Sequence, residues 1–415
     1  MKTPLRRARA WLAGVAPLPG WLLVAAAYGT ALIGSTEHLR RWGPDARYYL
    51  AWAYRYGGLS EREAGRRTYE FLDTFEWFRD FCGPGCRPDD TYAWLFHGWT
   101  GGLVAPRVLY PLLSAPFVRA VGPQGMLVVP ILAYAVCLVL VMVLAARLAG
   151  PRWSVLAGLA TVLPAEMSRW SNYAYTEALT MALCVACVVV LPLGRHARRW
   201  DPALFGVLLL AFAFTRQFHP VVVAGVGAAW LGAAVTARRL RNPWLPFLAV
   251  GVAVLVVANV VQGLIAPAYS IVDSFVRHSG AGSVAGIPGA LPRVAWRLIR
   301  AEAWDALDDP SICLVGLLVV AGALRRYRSP VTWLVTGALG GTFALHVLNT
   351  EPSHLRYYAV VFPLLAVYAT TVVADLFGGA PPPAPEPPVP GERASPPVDV
   401  KSPPDRRPLL VASAD

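Results

Sequence analysis

The sequence predicts an all-α, polytopic membrane protein with about ten transmembrane helices and a large first extracytoplasmic loop. Hydrophobic residues make up 56% of the chain and charged residues only 15%, whereas soluble domains are roughly 45–50% apolar. The apolar residues form blocks about 15 to 30 residues long, the length that crosses the hydrocarbon core of a bilayer. Arginines gather at every second junction between these blocks, which is typical of cytoplasmic loops.

Ten apolar stretches account for the predicted helices. They are 11–35, 120–146, 153–165, 178–194, 202–215, 217–237, 242–272, 310–324, 329–350 and 357–374. The first follows Lys2 and three arginines, so we expect a cytoplasmic N-terminus and a retained anchor helix, with a cleaved signal peptide as the alternative. The stretches that begin at Trp153, Pro202 and Pro310 are short for a full crossing, and a re-entrant course is their alternative.

This pattern divides the chain into a membrane domain and a tail. Residues 1–378 form the membrane domain, and 35–119 are its first extracytoplasmic loop. Residues 379–415 are rich in proline and contain no aromatic residue, which predicts a disordered cytoplasmic tail. The net charge of +12 comes from short clusters between apolar blocks, so it indicates topology and not nucleic-acid binding.

Asp45 opens the first loop, just before an aromatic segment. Tyr48, Tyr49, Trp52 and Tyr56 recur at helical spacing, which predicts a helix that lies along the membrane surface. One interpretation of Asp45 is an N-cap, because its carboxylate suits the free N–H groups at the start of that helix. The other is a reactive carboxylate that meets a lipid-borne substrate at the bilayer.

Several features recur together: a cytoplasmic start, one helix, and a large outer loop that opens with Asp45 and the pair Tyr48-Tyr49. The loop continues with RVLYPLL at 107–113, and polar residues stand at later outer helix ends, within 175–177, 215–216 and 356–358. In this layout the chain resembles the GT-C class of membrane glycosyltransferases. It is most similar to protein mannosyltransferases and bacterial lipid A aminoarabinose transferases. The resemblance covers about residues 10 to 378, as architecture more than as sequence.

The resemblance implies an enzyme that transfers a sugar from a polyprenyl-phosphate carrier to an extracytoplasmic glycan, lipid or protein acceptor. Asp45 would be the general base, with Tyr48 and Tyr49 beside the substrate. Where many relatives carry an Asp-Glu pair, Asp45 is followed by Ala46, which leaves the base and any second carboxylate open. The phosphate leaving group requires cations or N–H donors. The candidates are Arg216, His219, His354 and Arg356.

The later polar residues also have structural interpretations. Arg216 and His219 are an interfacial anchor or part of the site. Glu177 belongs to a hairpin held by ion pairs, or it contacts sugar hydroxyls. For Arg356, beside two tyrosines, phosphate binding is the favoured interpretation.

Metal and cysteine chemistry is not assigned. Asp89 and Asp90 would hold a divalent ion with Asp45, or they are simply solvated loop residues. Cys82 and Cys86 flank a Gly-Pro-Gly turn on the outer side, where a disulfide is expected and zinc binding is the alternative. No cofactor is predicted.

Two other functions compete with the enzyme. A transporter or flippase would need charges in the middle of several helices, whereas the apolar stretches here are clean. A non-catalytic envelope assembly protein would not need Asp45, Arg216 and Arg356 to converge.

Overall fold

The protein is helical throughout the part of the chain that its structure describes. The computed structural model describes residues 14–37, 42–82, 94–97, 99–266 and 270–378, and within these ranges it contains helices and connecting segments but no strand. The predicted all-α class is therefore confirmed for these residues. The proline-rich tail, Cys86 and the pair Asp89-Asp90 lie outside the described residues, as does the side chain of Cys82, so the predictions for them stay untested.

In the described residues up to Val121, one apolar helix comes first, and further helices follow in the region predicted as the first outer loop. They are α1 (Leu18–Glu37), α2 (Ala46–Tyr56), α3 (Glu61–Leu72), α4 (Glu76–Cys82), α5 (Trp99–Val104) and α6 (Leu109–Val121). The last of these is an apolar helix that falls outside the ten predicted stretches.

The rest of the domain is a run of helices with short connections, opened by a 3₁₀ turn at Pro123–Leu127. They are α7 (Val128–Ala149), α8 (Pro151–Val162), α9 (Ala165–Ser171), α10 (Glu177–Val189), α11 (Asp201–Ala213), α12 (His219–Ala237), α13 (Leu245–Ile265), α14 (Ile271–Ser279), α15 (Ile287–Leu307), α16 (Pro310–Arg325), α17 (Pro330–Asn349), α18 (Arg356–Ala359) and α19 (Phe362–Phe377). A second 3₁₀ turn, Val284–Gly286, precedes α15.

Fewer helices than ten are long and apolar enough to cross a bilayer on their own. Among the described residues four qualify by length and composition: Pro123–Ala149, His219–Ala237, Leu245–Ile265 and Pro330–Asn349. A fifth is added if Val284–Leu307 and Pro310–Arg325, bent by 117°, form one broken span. The protein thus has several candidate membrane helices, and the count of about ten stays a prediction.

Close packing of α12 against α17 brings two important chain segments together. A Cβ atom added at Gly225 would lie 2.8 Å from the carbonyl oxygen of Leu334, and one at Gly337 would lie 2.8 Å from that of Ala224. Only small residues allow helix backbones to approach this closely. The two helices run antiparallel, so the start of α12 lies beside the end of α17. This contact places the segment before His219 beside the segment after Asn349.

The aromatic helix after Asp45 exists, and two of its rings are buried. Helix α2 packs against α6, and Tyr48 and Tyr49 are fully buried within the protein core. These two rings therefore face protein, and the course of the helix along the membrane surface stays a prediction. The rings are covered by other side chains, such as Tyr110 at a centroid distance of 5.3 Å from Tyr49, because α6 folds back over the helix.

Candidate functional site

Asp45 stands at the N-cap position of α2 but does not use its side chain as a cap. No capping hydrogen bond is formed; instead an Oδ2 atom lies 2.7 Å from Nη2 of Arg356. The carboxylate is one-third exposed. Burial raises the pKa of this carboxyl, but the charges of Arg356 and Arg107 outweigh burial and hold the pKa below its ordinary value of 3.8. The carboxylate is therefore ionised at neutral pH.

Glu177 is the centre of the buried charges. Its Oε1 atom accepts hydrogen bonds from both Arg216 and Arg356, and its side chain is fully buried. The other oxygen, Oε2, has no hydrogen-bond partner among the described residues. As the first residue of α10, Glu177 also lies at the end of the helix where the backbone dipole favours an anion.

Aromatic rings enclose the guanidinium group of Arg356. The ring centroid of Tyr175 lies 4.4 Å from the guanidinium carbon, and that of Trp170 lies 5.4 Å away. Burial lowers the pKa of Arg356, but the nearby Glu177 and Asp45 raise it well above its ordinary value. Arg356 is therefore a permanent cation, held in place by rings and two carboxylates.

Arg216 has a matching environment on the other side of Glu177. Its guanidinium carbon lies 4.8 Å from the ring centroid of Phe218 and 5.3 Å from that of Tyr357, and these two rings stack on each other. The residue is only 3% exposed, and its Nε atom has no hydrogen-bond partner among the described residues. The prediction of a simple interfacial anchor does not fit an arginine buried in protein.

Arg107 joins this group, although sequence analysis did not select it as a site residue. Its Nη1 atom donates to the Tyr49 hydroxyl at 2.8 Å, and its Nε atom donates to Oε1 of Gln217 at 3.0 Å. Charges on Asp45 and Arg356 also act on it. One feature of the sequence could have identified Arg107 as a site residue. It is the first residue of the RVLYPLL segment, one of the segments on which the family resemblance is based.

The cluster has more positive than negative charge. Among the described residues it contains three guanidinium groups and two carboxylates, those of Asp45 and Glu177. Two of the cations, Arg107 and Arg216, line a small cavity of about 70 Å³ together with Gln217 and Tyr357. We call this the basic cavity. It presents guanidinium and amide N–H donors, which suit a phosphate.

The segment 350–355 sets the position of Arg356. Thr350, His354 and Leu355 have positive φ angles of 65°, 50° and 60°, which non-glycine residues rarely adopt. Glu302 holds the segment: its oxygens accept from the backbone N–H groups of Ser353 and Leu355, each at 2.6 Å. These hydrogen bonds offset the unfavourable backbone conformation.

Glu302 was not among the predicted site residues, although the spacing of buried residues on α15 indicates a role for it. Ala290, Val294 and Leu298 form the buried face of α15 at intervals of four residues, and Glu302 continues that face. A charged residue in such a series is buried with partners or not at all. The position therefore indicates a specific buried hydrogen-bonding role.

Three predicted site residues lie apart from the charged cluster. The His354 ring is exposed and lies 3.3 Å from Asp305, on a separate cavity of acidic residues. His219 is buried, and neither ring nitrogen has a hydrogen-bond partner among the described residues. The hydroxyl of Tyr48 accepts from Arg47 at 3.2 Å. Arg216, Arg356, Glu177, Asp45 and Tyr49 do come together.

Metal ligands do not form a cluster in the described part of the chain, where no group of three His, Cys, Asp or Glu side chains is placed to hold an ion. Comparisons with protein-family models, curated proteins and solved structures give no match to this chain. The geometry of the charged cluster is therefore the basis for any functional assignment.

Proposed function

We propose that this protein is an integral membrane glycosyltransferase of the GT-C type, which transfers a sugar from a polyprenyl-phosphate carrier to an extracytoplasmic acceptor. The supporting observation is the ion pair of Asp45 with Arg356, within a cluster that carries one surplus positive charge. A base and a phosphate-binding cation are thereby adjacent. A non-catalytic assembly protein would not require Asp45, Arg216 and Arg356 to converge.

The cluster suits both proton transfer and departure of the phosphate. The acceptor hydroxyl attacks the anomeric carbon, the bond from that carbon to the phosphate oxygen breaks, and the hydroxyl proton moves to the Asp45 carboxylate. The polyprenyl phosphate departs with the bonding electron pair. Arg216 and Arg107, preorganised at the basic cavity, stabilise the developing negative charge on its oxygen.

Binding of the donor also changes the ion pairs of the free protein. A phosphate beside Arg216 and Arg356 competes with Glu177 and Asp45 for the same guanidinium groups. As Arg356 turns to the phosphate, the field that lowers the Asp45 pKa weakens. Asp45 becomes the stronger base when the donor is present.

Apolar side chains near the cluster are suited to the carrier lipid. Helix α6 follows Arg107 directly, and it exposes Leu112, Leu113 and Phe117 on its surface. Exposed apolar residues on a membrane helix contact lipid chains. We propose that the polyprenyl chain lies along this face while its phosphate enters the basic cavity, and that the cluster lies on the extracytoplasmic side with both termini in the cytoplasm.

The direct test compares Asp45→Asn with the wild-type protein. The purified full-length proteins in nanodiscs receive polyprenyl-phosphate sugars and membrane acceptors, and transfer of labelled sugar is measured. We expect a loss of about 100-fold or more, because asparagine does not accept the proton. Arg356→Ala should also reduce transfer, with accumulation of lipid-linked sugar in cells.

Asp73→Asn is the matched control. Asp73 is an exposed carboxylate that ends α3 in the same loop, and its substitution should leave transfer unchanged. If Asp45→Asn is correctly inserted and the envelope glycans of cells that express it are unaltered, the proposal fails. Passage of lipid-linked sugar across the bilayer without transfer would instead indicate a flippase.

A further inference from the structure

A second cavity lies beside the Asp45–Arg356 pair, and its wall is mainly aromatic. Its volume is about 300 Å³, far larger than the basic cavity, and comparable with the smallest ligand pockets of proteins. We call it the aromatic cavity. The side chains around it are Trp42, Trp77, Arg169, Trp170, Tyr173 and Tyr175.

The rings of this cavity belong to the folded interior and are held in place. Trp42, Trp170, Tyr173 and Tyr175 are each less than a tenth exposed. Trp170 and Tyr175 stack at a centroid distance of 6.2 Å, and the Trp170 indole N–H donates to the backbone carbonyl of His354 at 2.9 Å. The wall is thus a fixed surface that does not need to form when a ligand arrives.

Polar groups occur only at the edges of the rings. Arg169 donates to the Tyr173 hydroxyl at 2.9 Å, so that both groups lie at one border of the cavity. The indole N–H of Trp77 is buried without a hydrogen-bond partner among the described residues. A ligand that combines an apolar face with hydroxyl groups would match the rings of the wall and the polar border formed by Arg169 and Tyr173.

The aromatic cavity is lined by residues that adjoin Asp45 and its partner Arg356. Gly43 and Pro44, the residues before Asp45, form part of its wall. A Cβ atom at Gly43 would clash with the Tyr175 hydroxyl, so the absence of a side chain there lets the loop approach the ring. Tyr175 also lines the cavity, and its ring contacts the guanidinium group of Arg356. Arg356 is the ion-pair partner of Asp45.

The two cavities border the same cluster of ion pairs through different residues. The ion pairs run from Asp45 through Arg356 and Glu177 to Arg216, and the two cavities share no lining residue among those described. Since the basic cavity suits the donor phosphate, a hydroxyl nucleophile has to approach Asp45 from elsewhere. The aromatic cavity is the large opening beside it.

We propose that the aromatic cavity binds a saccharide ring of the acceptor and presents its hydroxyl to Asp45; this inference rests on the proposed function. The C–H face of a sugar ring is apolar and stacks on the negative face of an aromatic ring. Its equatorial hydroxyls then meet the polar border that Arg169 and Tyr173 supply. A hydrocarbon chain would offer those polar groups no hydrogen bond, so the acceptor is a glycan.

Binding is measured directly on the full-length protein in nanodiscs. Saturation-transfer NMR with a panel of methyl hexopyranosides and methyl pentofuranosides should show contact through the ring C–H protons of at least one glycoside. Trp77→Ala should weaken that binding about tenfold, and Trp77→Phe should restore most of it. Trp296→Ala is the control, because Trp296 is exposed on α15 and lies outside the cavity.

Transfer kinetics separate this inference from the proposed function. Trp77→Ala should raise the KM for the acceptor about tenfold and leave the KM for the donor unchanged. Asp45→Asn should lose transfer and still bind the glycoside. If wild-type protein binds the glycoside but transfers no sugar, the proposed function fails; if transfer requires Asp45 while Trp77→Ala alters nothing, this inference fails.

Two further results would overturn the aromatic cavity as a glycan site. One is the absence of contact with every glycoside of the panel. The other is quenching of Trp77 fluorescence by brominated phospholipid chains. The Trp77 signal is the difference in fluorescence between wild type and Trp77→Phe. Quenching of that signal would show that an acyl chain occupies the cavity.

Discussion

Two buried carboxylates, Glu177 and Glu302, lie on either side of the segment that carries Arg356, and they are satisfied in opposite ways. Glu302 accepts from neutral donors, the backbone N–H groups of Ser353 and Leu355 and the Ser353 hydroxyl. Glu177 accepts only from guanidinium groups, and one of its oxygens has no hydrogen-bond partner among the described residues.

This difference separates a structural role from a reactive one. Backbone N–H groups have no other acceptor when Glu302 is lost, so its hydrogen bonds fix the shape of the chain. Guanidinium groups are able to exchange one anion for another, so the partners of Glu177 can bind a phosphate in its place. Glu302 therefore fixes the position of Arg356, and Glu177 holds the guanidinium group of Arg356 in a form that a phosphate can bind.

The largest expected effect on stability belongs to Glu302→Ala. It leaves two buried backbone N–H groups unpaired, and the free energy of unfolding should fall by about 3 kcal/mol. Thermal unfolding of the full-length protein in detergent measures the loss. Asp305→Ala is the control, since among the described residues Asp305 pairs with the exposed ring of His354 alone. An equal loss there would remove the structural role assigned to Glu302.

Glu177→Gln should act mainly on transfer. Without the anion, the two guanidinium groups lose their orientation, and the rate per folded molecule should fall roughly 30-fold, or about 2 kcal/mol. Its unfolding temperature should also fall, because Arg216 loses its carboxylate partner in a buried site, whereas Arg356 keeps Asp45 as a partner. The comparison breaks down if Glu177→Gln destabilises the fold as strongly as Glu302→Ala while transfer per folded molecule is unchanged.

A smaller effect is expected in the pH dependence of stability. The folded pKa of Asp45 lies below its ordinary value of 3.8, so its ion pair contributes stability that is present above that value and is lost as the pH falls through the folded pKa. Unfolding temperatures of wild type and Asp45→Asn should differ at neutral pH and converge in strong acid. A constant difference over this range would mean that Arg356 does not stabilise the charged carboxylate.

The smallest effect is expected for the exposed ion pairs of α3. Arg66 contacts Glu63 and Glu70 on the helix surface, and water screens such pairs. Arg66→Ala should leave both the unfolding temperature and transfer unchanged within error. A clear loss of transfer would mean that this surface takes part in substrate binding and that the reactive charges are not confined to the buried cluster.

The sequence predicted most of the apolar helices and the aromatic helix α2, because their determinants are local. Apolar blocks bounded by arginine clusters predicted helices near the observed positions. The helical spacing of Tyr48, Tyr49, Trp52 and Tyr56 predicted α2. The burial of Tyr48 and Tyr49 was missed because it depends on α6, a neighbour that this spacing does not specify. Arg107 was missed as a site residue for the same reason, since its partners Tyr49 and Gln217 come from other parts of the chain.

The sequence by itself determined an all-helical, apolar chain in which charged residues stand at the ends of the long apolar stretches, because hydrocarbon excludes them from the middle. The tertiary structure alone decided that Asp45 meets Arg356 and that Glu177 joins Arg356 to Arg216. The contact between α12 and α17 depends on small residues whose partners lie far away in sequence, and that contact brings the charges together. Local pattern cannot specify such pairings, since they follow from how whole helices pack.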